Sequence, residues 1–141
     1  MDLGSVNWLA VVVCVVVNMA IGSVWYNPKT FFPVWWKGIG KSAADNPGSG
    51  SMAMTWALTV VSAFVQAVGL ALLVNVMASG QGGPSLLSGL TSGLLAWLGF
   101  VAPTNLVNKL FAGHGLKVWA IEAGNHLVNF LAMGAILGAW H

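Results

Sequence analysis

Four long apolar stretches, at about 6–25, 52–78, 86–108 and 117–140, constrain this chain more than any motif does, and the first three contain no charged residue. Twenty helical residues at 1.5 Å each reach about 30 Å, one hydrocarbon thickness of a bilayer. Charged residues are 6% of the 141 positions and arginine is absent, against about 25% in a soluble domain. So little charge cannot clothe a water-facing surface, and the solvent of this chain must be largely lipid. The expected fold is an all-α, integral membrane four-helix bundle, a single domain over residues 1–141.

The first stretch follows Asp2 without a preceding lysine, where a signal peptide needs a positive region, so it reads as a retained helix. It closes on Trp25-Tyr26-Asn27-Pro28, two interfacial aromatics and a helix-stopping proline. Residues 29–51 do not span. Their first half sets Phe31, Phe32, Trp35 and Trp36 between lysines and suits the headgroup layer. Their second half, 42–51, is rich in Ala, Asp, Asn, Pro, Gly and Ser and reads as a flexible loop.

The five lysines set the orientation. Lys29, Lys37 and Lys41 fall in the first connection and Lys109 and Lys117 flank the third, so with four spans all five share one side. By the positive-inside rule that side is the cytoplasm, and both termini lie outside it. Trp25, Tyr26, Trp35, Trp36 and Trp119 are the expected anchors at the inner interface, with Trp97 nearer mid-membrane, against lipid or a neighbour.

Lipid gives helices no hydrophobic reason to associate, so small and polar residues must do it. Asn7, Cys14, Asn18, Gly22 and Trp25 share one face of the first span. Thr55, Thr59, Ser62, Gln66 and Gly69 form a heptad-spaced seam on the second. Gly89 with Gly93, and Gly134 with Gly138, are two GxxxG pairs. These are packing seams, and they could equally bind a second copy, so homo-oligomerisation is expected. The first and third spans each end in a proline region before a lysine-bearing loop, an echo of a parallel repeat that little sequence identity supports.

The fourth span carries the polar groups hardest to explain as scaffold. Glu122, Asn125, His126 and Asn129 recur at helical spacing and cover one face. If Lys117 marks the interface, Glu122 lies about 7–8 Å deep and His126 about 13 Å. An acid at the centre of a span costs about 3 kcal/mol, so Glu122 must face protein or water. Its candidate partners are Lys109 and His126, with Asn105 and Asn108 near the same level. One reading is a site that handles protons or a solute; the other is a hydrogen-bonded core that fixes helix register.

Other chemistries lack their residues. Cys14 has no second cysteine, so neither a disulfide within the chain nor a thiolate metal site can form. Glu122 and His126 could share a metal, but a third ligand would have to come from His114, His141 or Asp45. No nucleophile elbow, zinc-binding HExxH or phosphate loop occurs. No basic run could track nucleic acid. No cofactor or metal is expected.

Several local patterns resemble the small bacterial and fungal membrane family called domain of unknown function 1761. They are Gly22-x-x-Trp25-Tyr26-x-Pro28 followed by Phe31 or Phe32 and Trp36, and Trp97-x-Gly99-Phe100. Asn108-x-x-Phe111 with Gly113, His126-Leu127, and Met133-Gly134-x-Ile136-Leu137-Gly138-x-Trp140 complete the set. The resemblance implies a four-helix membrane protein and carries over no catalytic residue. It places Gly22, Trp25, Tyr26, Pro28 and His126 in the family pattern without assigning them roles.

The expected function is transporter- or channel-like and non-enzymatic. A small solute or ion would bind at the cytoplasmic end, with Glu122 and His126 handling charge and Asn105, Asn108, Asn125 and Asn129 supplying hydrogen bonds. The alternative is a non-catalytic accessory or structural subunit that docks on a membrane partner. A lipid-modifying enzyme would need a nucleophile or metal that the chain does not display. The location would be a plasma membrane, or an inner membrane if the source is bacterial.

Overall fold

The computed structural model describes residues 2–45 and 50–141, which hold five helices and no strand. Helix α1 is Trp8–Trp25, α2 Phe32–Gly38, α3 Met52–Ala78, α4 Leu86–Phe111 and α5 Gly115–Ala139. All except α2 are long and apolar enough to cross a membrane. Part of the flexible loop expected at 42–51, residues 46–49, lies outside the described residues.

The caps follow the local sequence. Asn7 accepts from the Ala10 N–H at the start of α1, and Ser51 from the Met54 N–H at the start of α3. Ser85 and Ser88 exchange backbone and side-chain bonds at the start of α4. Between α4 and α5 the chain turns on Gly113 and Gly115, both at positive φ (79° and 87°), where a side chain would be strained.

Helix α1 starts at Trp8, two residues later than expected, and two boundaries extend beyond the expected spans. Helix α4 runs on to Phe111 and passes through Pro103. Proline has no N–H to give the Gly99 carbonyl, and the helix absorbs the loss by widening into a π turn at Trp97–Val101. There the Ala102 N–H reaches back five residues to the Trp97 carbonyl. Helix α5 starts at Gly115, two residues before Lys117, because the glycine turn is tighter than composition alone indicates.

Helices α4 and α5 lie closest together. A Cβ at Gly89 would meet the backbone of Gly134, one at Gly93 the Phe130 carbonyl, and one at Gly138 the Ser85 carbonyl. No side chain separates the two backbones at these points, so dispersion contacts between main chains replace a hydrophobic drive.

Helix α1 runs antiparallel to α5. Asn7 donates to the Trp140 carbonyl (3.3 Å), Cys14 to the Met133 carbonyl (3.8 Å), and Trp25 to the Ile121 carbonyl (2.8 Å). Gly22 is different: where its side chain would begin there is open space.

Helix α3 buries a face other than the expected seam. Its buried residues are Ala63, Ala67, Leu70, Ala71, Val74 and Ala78. They join Val6, Ala10, Val11, Cys14, Phe130, Met133 and Leu137 in the core. Thr59, Ser62 and Gly69 are exposed, and Thr55 and Gln66 are only half-buried. Alanine permits as close an approach as threonine without an oxygen to satisfy. The Thr55 and Thr59 hydroxyls instead bond back to the carbonyls of Ser51 (3.1 Å) and Thr55 (2.7 Å).

Candidate functional site

The site is built around Glu122, seven residues into α5 and therefore about 10 Å from its first residue. Lys109, on the last turn of α4, places its ammonium nitrogen 3.2 Å from Glu122 Oε2. Trp35 of α2 donates its indole N–H to the same oxygen at 2.9 Å. The two side chains of the ion pair are 14% (Glu122) and 21% (Lys109) exposed, so the pair sits at the edge of the protein and is not sealed inside it.

Helix α2 is held in place to make this contact. Pro33 stands in its first turn, where a missing N–H costs nothing. Gly38, its last residue, passes so close to Val118 of α5 that a Cβ would collide with that side chain. The Trp35 ring lies 5.1 Å from Tyr26, and Phe31 lies 4.7 Å from Trp25. The connection from α1 is thereby folded back under the start of α5 and is not splayed outward.

Two further tryptophans bracket Glu122. Trp25 donates to the Ile121 carbonyl and Trp97 to the Ala123 carbonyl, each at 2.8 Å. Three successive residues of α5 thus receive an indole N–H from α1, α2 and α4. A helical carbonyl has a second lone pair free for such a bond, and an indole N–H without a partner in an apolar medium would cost several kcal/mol. Trp119 completes the pattern, donating to the Ala102 carbonyl at 2.9 Å. Trp25, Trp35 and Trp119, expected as interfacial anchors, therefore also act as hydrogen-bond donors between elements, as does Trp97. Trp36 donates to the Ser42 carbonyl (2.8 Å), and Lys41 lies 5.9 Å from its ring centre. In that loop the Ser42 backbone N–H and hydroxyl hold the exposed Asp45 carboxyl below its usual range, with Lys41 adding a smaller pull.

The other polar residues divide into two groups. Asn125 and Asn129 are buried and bonded to each other, the Asn129 amide nitrogen reaching both the Asn125 carbonyl (3.0 Å) and its side-chain oxygen (3.2 Å). Asn129 Oδ1 is buried without a partner. His126 is half-buried and makes no hydrogen bond to Glu122 among the described residues. On α4, Asn105 has a buried amide nitrogen without a partner, and Asn108 is exposed. The structure thus joins Glu122 to Lys109, and Asn125 to Asn129, while His126, Asn105 and Asn108 remain outside both contacts. Among the described residues no group of three His, Cys, Asp or Glu could hold a metal ion.

The Trp35–Glu122 bond was not legible as such. Its signal was present as chemistry: a carboxylate in an apolar span needs donors, and the flanking segments offer the indole N–H groups of Trp35 and Trp36 beside the lysines. A charge-assisted bond of this kind contributes about 1.5–3 kcal/mol. Trp35→Phe keeps the ring but not the N–H. It is expected to lower stability by roughly 1–2 kcal/mol and to increase protease cleavage in 29–45. Equal cleavage of variant and parent would show that α2 docks without this bond.

A family model described as a protein of unknown function (DUF1761) matches residues 9–138. No curated protein and no solved structure matches the chain.

Proposed function

Because the chain belongs to the DUF1761 family of proteins of unknown function, its role has to come from its own residues, and we propose a non-enzymatic, transporter- or channel-like membrane protein. It handles a small solute or ion at the lysine-bearing end of the bundle. That end faces the cytoplasm, and both termini lie on the other side. The five-to-nil division of lysines supports the orientation. The site consists of Glu122 with Lys109 and Trp35, and His126 lies one turn deeper.

One observation carries this reading. The only acid within the described membrane-length helices is held by a long, movable lysine at the protein's edge, and not by a closed ring of fixed donors. An ionisable group within a span is costly to keep there and is by default a candidate for an ion or proton path. A lysine on a four-carbon stem can release the carboxylate without disturbing either backbone.

The test uses liposomes loaded with a pH-sensitive dye. Glu122→Gln preserves the shape of the side chain and removes its charge. Proton or solute flux is expected to fall at least about tenfold, the change that a loss of 1.4 kcal/mol in the limiting step would give. Equal flux in parent and variant, or none in either, would favour the second reading.

That second reading is an accessory or structural subunit, and the free face of α3 supports it. From Met52 to Ser62 this helix has no fully buried residue, although it carries hydroxyls at helical spacing. Such a face would suit a neighbouring helix, including one from a second copy.

A further inference from the structure

We infer that Glu122 receives a primary-ammonium cation and that Lys109 is its tethered competitor. The inference rests on the solute-site reading above and names the class of solute.

The group already seated on Glu122 is a primary ammonium. Lys109 extends from two residues before the end of α4 to the carboxylate of a residue seven positions inside α5. A lysine at a helix end would otherwise extend toward water. What the carboxylate binds in this structure is a stand-in for what else it can bind.

Room remains on the carboxylate. Lys109 and Trp35 both contact Oε2, and no hydrogen bond reaches Oε1 among the described residues. An ionised carboxylate has about four lone-pair positions, so Oε1 gives an incoming N–H donor a position to approach as Lys109 departs. The pair is partly exposed, which gives an incoming cation a route.

The surrounding donors select the type of cation. A hard metal ion such as Ca2+ or Mg2+ needs about six oxygen ligands. Here Glu122 supplies the one carboxylate, its other bonded neighbour is the Trp35 N–H, which is a donor and cannot ligate a metal, and among the described residues no group of three His, Cys, Asp or Glu could hold one. An ammonium can be held by a single carboxylate, as the Lys109 ammonium is here.

Lys109 then sets the affinity. When a binding-competent state is populated to a fraction f, the apparent Kd is the intrinsic Kd divided by f. A lysine that holds Glu122 about 90% of the time weakens binding about tenfold. Occupancy of the site and release of Lys109 are therefore one event.

The experiment measures binding of ethylammonium to the full chain in lipid nanodiscs by calorimetry, with tetramethylammonium at equal ionic strength as the probe lacking N–H donors. The parent should bind ethylammonium in preference to tetramethylammonium. Lys109→Met should bind it about tenfold more tightly, and Glu122→Gln should not bind it. Lys109→Arg keeps the ion pair, guards against a Lys109→Met protein that does not fold, and should bind more weakly than the parent. Equal binding of the two probes, unchanged affinity in Lys109→Arg, or ethylammonium binding that survives Glu122→Gln would each overturn the inference. Ethylammonium binding without flux in liposomes would reject transport and leave the ammonium site standing. Flux that depends on Glu122 without ethylammonium binding would do the reverse.

Discussion

Replacing Gly134 by valine is expected to separate α4 from α5 and to cost about 3 kcal/mol or more, the upper end of the range for overpacking a dense interior. A Cβ at Gly134 would meet the Gly89 carbonyl, and one at Gly89 would meet Gly134 in return. These are main-chain atoms in regular helices, so no rotamer change can make room. The same crossing recurs one turn to one side at Gly93 and one turn to the other at Gly138, and relief at one position tightens the others. Gly22→Ala and Gly99→Ala are the matched controls, because a Cβ at either meets nothing within 4 Å. They should be neutral, or stabilising by up to about 1 kcal/mol, since alanine restricts the unfolded chain more than glycine does. Thermal unfolding in one detergent orders the four proteins. A Gly134→Val protein as stable as Gly22→Ala would remove the close crossing from the account.

The second large effect is asymmetric. Lys109→Ala leaves Glu122 charged, with only the Trp35 N–H beside it, and is expected to cost roughly 3 kcal/mol, the lower end for breaking a buried pair because this one is partly exposed. Glu122→Gln leaves a lysine that can swing out to the interface, so it should cost roughly 1 kcal/mol, the loss of one hydrogen bond's charge assistance. The double variant should resemble Glu122→Gln, because the stranded charge is gone. Unfolding of all four corners of the cycle measures the coupling. Additive losses would mean that the two side chains meet in the structure without depending on each other.

The apolar runs and their charge-free stretches made the long helices readable, because length and composition alone decide whether a segment can cross lipid. The close approach at Gly89, Gly93, Gly134 and Gly138 was also readable, since four-residue spacing of glycines places bare backbone on one face. The face that α3 buries was not. Threonine, serine and glutamine drew notice as polar signals, but alanine packs as closely and carries no oxygen to satisfy. The roles of the tryptophans were hidden for a different reason. A tryptophan beside a proline or lysine suits the interface whichever way its N–H turns, and only the tertiary path of α2 brings Trp35 to Glu122. The π turn was half visible: Pro103 announced a disturbance, but continuation of α4 depended on a widened turn that no local pattern specifies.

Everything about the site assumes that four crossings place Glu122 and Lys109 at the cytoplasmic end. Single cysteines at Asn108 and at Gln81, in a Cys14→Ser background, test this directly with a membrane-impermeant maleimide. The account expects the cysteine at position 108 to react only in inverted vesicles and the one at position 81 only in intact cells. The opposite pattern, or reaction of both from one side, would contradict it.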